Sequence, residues 1–347
     1  MPILFISALF YTLFSRRPES APPRDAYLFQ GEAMGTTWQV KIISDQLSDP
    51  NRQNEVERGI HQELDNINSK MSTYLPSSEI SQISSSLSVD PTPVSKDTFA
   101  VLKAARDLSE QSKGAFDVTV GPLVQAWGFG GSELETPPSR EDLALLLARV
   151  GHDLYTLDED KKTFTKHHKE LELDLSAIAK GYAVDKVAEY LNKNQFNDYL
   201  IEVGGELRAS ITEQSIRPWR VGIERPDAAR NTIQEVIELP IKEGVAMATS
   251  GDYRNYWEHN GQRISHTIDG RTGEPIKHKL ASVTVISDSA LKADGWATTL
   301  NVLGPKDGLA LAKREQLAAF FLIRDGDSFI SKSTGLFDDF CVTCNEN

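Results

Sequence analysis

The chain has 347 residues, 39% hydrophobic and 25% charged, an ordinary composition for a soluble protein with a substantial core in one large domain or two lobes. Its net charge is −13, its sequence pI is about 5.1, and no Lys/Arg-rich stripe interrupts the acidic balance. Nucleic acid is thereby excluded as a partner, and a polyanionic ligand would need a specific cation or local basic groups to bind.

Residues 1–25 stand apart from the rest. Residues 1–14 are apolar, and Arg16-Arg17 and a Pro-rich stretch follow. About 12 apolar residues match a signal-peptide core better than a membrane span, which needs about 20. No Lys or Arg precedes the run and two Arg follow it, against the charge order of export. We read 1–25 as an export or anchor segment with a linker, and 26–347 as one domain held on the periplasmic side of an inner membrane. No cysteine follows the apolar run to carry a lipid.

Alternation then predicts a strand over 31–44, and apolar spacing through Ile60, Leu64, Ile67 and Met71 predicts a helix over 56–71. Further amphipathic helices are expected over 99–111, closed by Gly114, and over 141–150. A strand over 170–175 leads through a Ser176 N-cap into a helix over 178–192. Strands follow over 199–210, 219–224, 233–239, 244–249, 264–268, 281–286 and 318–324. A largely buried helix is expected over 288–304, capped by Asp288 or Ser289 and stopped by Gly304-Pro305. Strands come in pairs as often as they alternate with helices. The fold class is therefore α+β, with largely antiparallel or mixed sheets and packed helices.

On the last helix, Ala290, Asp294, Ala297, Thr298 and Asn301 share one stripe at about 100° per residue. A carboxylate on a buried helix must be paired, protonated or bound to metal. Carboxylate and hydroxyl oxygens suit a hard cation such as Mg²⁺, though an Arg or a backbone N–H would satisfy the Asp equally well. Lys180 lies in the first turns of its helix, where the dipole disfavours a cation; a nearby anion, or simple surface exposure, accounts for it. The run from Lys113 to Gly130 reads as a Gly turn, a strand and an aromatic-glycine loop. Its Phe116-Asp117 suits either a planar heterocycle or core packing. Thr249-Ser250-Gly251 breaks a small-residue strand and suits a ligand rim. His266 and Asp269 flank a turn, where the His is either a base for a hydroxyl or a structural residue. Cys341 and Cys344 form a lone Cys-x-x-Cys in the tail: a disulfide, two free thiols, a redox pair or half a metal site.

Taken together and in order, these segments resemble the ApbE-type FAD:protein FMN transferases. The matching pieces are Gly31-Glu-Ala-Met-Gly-Thr-Thr-Trp38, Met71-Ser-Thr-Tyr74 with Ser78-Glu-Ile80, Gly114-Ala-Phe-Asp117 and Asp174-Leu-Ser-Ala-Ile-Ala-Lys-Gly-Tyr182. They continue with Glu202-Val-Gly-Gly205, Ala248-Thr-Ser-Gly251, His266-Thr-Ile-Asp269 and Ala293-Asp-Gly-Trp-Ala-Thr298. The resemblance implies two lobes around a FAD cleft and a Mg²⁺-dependent enzyme. Such an enzyme moves FMN from FAD onto a Thr or Ser hydroxyl of a target protein through a phosphoester and releases AMP. It further implies that Met34, Tyr74, Ala115, Phe116, Asp117, Asp174, Lys180 and Ile268 hold FAD. Asp294, Thr298 and the carbonyl of Ala177 would hold Mg²⁺, and His266 would deprotonate the acceptor. Implied clients carry a Ser/Thr-Gly-Ala-Thr-type motif, such as subunits of the Na⁺-translocating NADH:quinone reductase or related electron-transfer complexes. The same sites would serve a FAD pyrophosphatase giving FMN and AMP, or a non-catalytic flavin carrier. Three positions depart from a common family pattern: Ala297 where some members carry Asp, Lys180 where some have Glu, and Gly270 in place of Pro.

Overall fold

Eight strands build one antiparallel sheet: β1 (Ala26–Ala33), β2 (Thr36–Ile43), β3 (Tyr199–Val203), β4 (Glu206–Ser210), β5 (Val245–Gly251), β6 (Leu280–Ser287), β7 (Ala318–Asp325) and β8 (Ser328–Ser333). Their order across the sheet is their order along the chain. The computed structural model describes residues 26–129, 136–212, 218–226, 232–240, 244–251, 256–259 and 262–344. The export or anchor segment read at 1–25 lies outside the described residues, and no helix among them is long and apolar enough to cross a membrane.

Strands β3, β4 and β6 are buried along nearly their whole length, polar residues included, because both faces of the sheet are covered. In β3, Tyr199, Ile201 and Val203 enter the main core while Leu200 enters a second one; in β7, Phe321 faces the first core and Phe320 and Leu322 the second. The main core is filled by helices α1 (Pro50–Met71), α2 (Glu79–Ser85) and α3 (Lys96–Ser112). Helices α4 (Gly121–Ala126) and α5 (Arg140–Leu147) follow, then α6 (Ala179–Lys193) and α7 (Ala290–Arg314). Of these, α6 and α7 cross each other against the sheet, and α4 with α5 forms a small third core around Leu123, Trp127, Ile264 and Ile268. The second core lies under the hairpin Trp219–Glu224 and Ile233–Leu239.

Several expected elements change form. The strand read at 31–44 is the hairpin β1–β2, turned by Met34 and Gly35 at φ 52° and 72°. Two consecutive positive φ values make the tight turn whose twist matches its strands. Likewise 199–210 is the hairpin β3–β4, turned at Gly204-Gly205. Residues 170–175 and 116–120 form no strand, and 264–268 is split between two short strands, Gln262–Ser265 and Ile268–Asp269. Ser176 is not the cap of α6; its N–H donates to Asp174 Oδ1 (2.8 Å), a local turn, and Ile178 occupies the cap position without a side-chain bond. Gly304 does break α7, at φ 75°, but Pro305 then opens a further helical stretch to Arg314.

The start of α7 is fixed from outside the helix. Ser289 caps it, and the buried Asp185 of α6 accepts from Ser289 Oγ (2.7 Å), Ala290 N (3.0 Å) and Leu291 N (3.0 Å) while pairing with Arg208. Removing that carboxylate orphans two helix N–H groups and a guanidinium. An Asp185→Ala variant is expected to lose about 3 kcal/mol in denaturant unfolding. A loss under about 1 kcal/mol would show that α7 starts without it.

Candidate active site

A cavity of about 860 Å³ opens where the β1–β2 and β3–β4 turns, the first residues of α6, the middle of α7 and the end of β5 converge. The segment His266–Ile268 and the hairpin residues Val221 to Glu224 complete its wall. Its size falls at the upper end of small-molecule sites.

The floor depends on how closely α6 and α7 approach. Gly181 has no Cβ to spare: one would sit 2.2 Å from the Ala290 carbonyl oxygen and 2.8 Å from Asp294 Cβ. That contact lets Gly181 N–H donate to Asp294 Oδ2 at 2.9 Å. Asp294 is 4% exposed, and burial pushes its carboxyl up, opposed by Lys180 and the Gly181 N–H. One turn on, Thr298 faces the same cavity, as does Ala177 just before α6. These are oxygen donors only, a set that suits a hard cation. Ala297 is buried in the main core and brings no side-chain oxygen.

Lys180 supplies the ammonium of this wall, 3.4 Å from Glu206 Oε1 and donating to the Ser176 carbonyl at 3.3 Å. Burial opposes its charge, but Glu206, Asp294 and Asp174 together outweigh that, so its pKa is raised and it stays protonated. The anion suggested by its place at a helix start is thus a carboxylate cluster. Glu206 itself is 4% exposed, and its Oε2 has no hydrogen-bond partner. Burial pushes its carboxyl up to about 8, with Asp294 and Glu202 adding to the rise and Lys180 opposing it. Three carboxyls share one ammonium, a surplus of acidic groups that burial and mutual repulsion offset by holding Glu206 protonated near neutral pH.

This surplus has a measurable sign. A carboxyl raised from 4.5 to about 8 binds a proton in the folded state that the unfolded chain releases. Its stabilisation is full below the unfolded value and is lost as pH rises through the folded one. The thermal midpoint of the metal-free protein is therefore expected to fall between about pH 5 and about pH 8, and Glu206→Gln to flatten that slope. A wild-type slope unchanged by the substitution would assign the titration elsewhere.

The other expected residues are placed as follows. Asp117 is buried beside the cavity, its Oδ1 accepting from Thr119 N (2.8 Å) and Oγ1 (2.7 Å), with His152 Nδ1 3.9 Å from Oδ2; burial raises its pKa. Asp174 is tied to the same region by its own N–H, which donates to the Val118 carbonyl at 2.7 Å. Ala115, Phe116 and Ile268 line the cavity at 2%, 2% and 6% exposure, so the Phe116 ring belongs to the core and offers no open stacking face. Met34 reaches the cavity from the tip of the β1–β2 turn. His266 lines it too, in edge contact with Phe129 (centroids 6.2 Å apart). Tyr74 is not on the cavity wall; it is 72% exposed. Reading the residues did not single out Glu206, nor Asn301 as the donor that holds Ser250 Oγ on the rim at 3.1 Å. A polar residue in alternate register after a Gly-Gly turn looks like a solvated strand face, so only its burial reveals Glu206.

A sequence model of the ApbE family matches residues 34–321. The chain is 41% identical over 318 residues to the FAD:protein FMN transferase of Haemophilus influenzae, covering 90% of this chain and 91% of that protein. It is 35% identical over 345 residues to the FAD:protein FMN transferase of Escherichia coli K12, covering 98% and 97%. Among solved structures, the flavin transferase ApbE from Vibrio cholerae superposes with a TM-score of 0.82 at 38% identity, covering 92% of this chain and 100% of that one. The apo flavinyl transferase ApbE of Pseudomonas stutzeri gives 0.81 at 38% identity, covering 91% and 96%.

Proposed function

The chain belongs to the ApbE family, and on that premise we propose that it transfers the FMN part of FAD to a Thr or Ser hydroxyl of a target protein, releasing AMP. The observation that carries this reading is that Lys180, the buried Asp294, Thr298 and His266 all line one cavity. Mg²⁺ fits the donors present: the Asp294 carboxylate, the Thr298 hydroxyl and the Ala177 carbonyl, beside an excess of buried carboxylates. Bound there, the ion would neutralise charge on the FAD pyrophosphate.

The remaining steps belong to the chain. Lys180 adds a fixed cation beside the phosphates, which an acidic protein otherwise repels. Met34, Ala115, Phe116, Asp117, Asp174 and Ile268 hold the nucleotide; Tyr74 is assigned to it by resemblance alone. His266 takes the proton of the acceptor hydroxyl, whose oxygen attacks the FMN phosphorus. An O–P bond forms, the pyrophosphate P–O bond breaks, and its electron pair leaves with AMP. Proteins bearing the Ser/Thr-Gly-Ala-Thr-type motif, such as subunits of a Na⁺-translocating NADH:quinone reductase, are the acceptors in this reading. The periplasmic placement rests on the apolar segment at 1–14. Incubation with FAD, Mg²⁺ and a peptide carrying the motif should add one FMN, less water, to the peptide mass. No labelling under these conditions would sink the proposal.

A further inference from the structure

The tail cysteines lie far along the chain from the residues assigned above, on the hairpin that covers the second core. Cys341 and Cys344 are joined as a disulfide. Their segment runs beside Ile233–Leu239: Glu238 N–H donates to the Phe340 carbonyl (2.9 Å), Val342 N–H to the Val236 carbonyl (2.9 Å), and Cys341 pairs with Ile237. This register sets Glu235 against the tail. Glu235 is 4% exposed, its Oε2 lies 3.9 Å from Cys341 Sγ and accepts from the Thr343 hydroxyl, and no ion pair among the described residues includes it. Its oxygen and the two sulfurs all lie within 4.8 Å of one another. Cys344 N–H also lies 3.2 Å from Cys341 Sγ.

We propose that the dithiol form of this tail binds a thiophilic divalent cation of the Zn²⁺ class through Cys341, Cys344 and Glu235, with a fourth position for water. Two sulfurs and one oxygen select such an ion over Mg²⁺, and three protein ligands with one open position is a known arrangement for it. Disulfide and metal are exclusive states. A dithiol reductant gives two electrons and two protons to the disulfide and leaves as its own disulfide; the cation then displaces two protons as two S–metal bonds form. Either state pins the tail to a hairpin whose Val221, Gly222, Ile223 and Ile233 line the cavity.

Cobalt(II) titration of the phosphine-reduced full chain tests this. One equivalent should give thiolate-to-cobalt absorption, reversed by Zn²⁺, unaffected by Mg²⁺, and retained in Asp294→Ala. The Cys341→Ser/Cys344→Ser double variant should lose the band. Glu235→Gln, nearly the same in shape, should bind at least tenfold more weakly. No thiolate band from reduced wild type, or equal affinity in Glu235→Gln, would overturn the proposal. Should the double variant fail to fold, protection of the wild-type thiols from alkylation by one equivalent of Zn²⁺ decides the same point, and unprotected thiols count against it.

Discussion

Asp294→Ala is expected to lower kcat/KM for FMN transfer about a thousandfold or more, a loss of about 4 kcal/mol in transition-state stabilisation. The reason is charge. The Ala177 carbonyl and Thr298 hydroxyl are neutral, so one carboxylate supplies what compensation the donor set offers a divalent ion. Lys180 cannot substitute, because Glu206 already shares its ammonium. The fold should survive. Asp294 accepts one backbone bond, from Gly181, and its burial opposes its own charge, so the lost bond is offset by relief of an unfavourable desolvation. Circular dichroism and a Mg²⁺ titration check both halves. Activity that recovers at saturating Mg²⁺ would show the carboxylate to be dispensable.

His266→Ala is expected to slow transfer by about a hundred- to ten-thousandfold while leaving FAD affinity within about twofold. A hydroxyl is a poor nucleophile at neutral pH and needs a positioned base, whereas FAD is held in this account by other residues. His266 is half-buried at the cavity wall, in edge contact with Phe129. Equal rates would remove His266 as the base.

Much of this was legible in the residues because local signals and global fold agree. The stripe carrying Asp294 and Thr298 on a buried helix follows from spacing alone, and a cap at Asp288 or Ser289 from residue type and position, of which the fold uses Ser289. Two hairpins were read as single strands because period-two alternation runs on through a two-residue turn, where Met34 and Gly204 reverse the chain without interrupting the pattern. The stretch around Asp174 imitates a strand, but the Asp174 N–H donates to the Val118 carbonyl and its side chain accepts from the Ser176 N–H, a tertiary arrangement with no sequence period. Asp185 and Glu235 were missed for a shared reason. A lone acid on an amphipathic helix or strand looks solvated, and only the partner element shows that it caps α7 or faces the tail cysteines.

The central claim is transfer to a protein hydroxyl rather than to water, and the AMP-to-labelled-acceptor ratio tests it most directly. With FAD, Mg²⁺ and a motif-bearing acceptor, one AMP should appear for each FMN attached to the acceptor, and AMP release should fall to background without the acceptor. AMP and free FMN released at the same rate with or without the acceptor would contradict the account and make the cavity that of a pyrophosphatase.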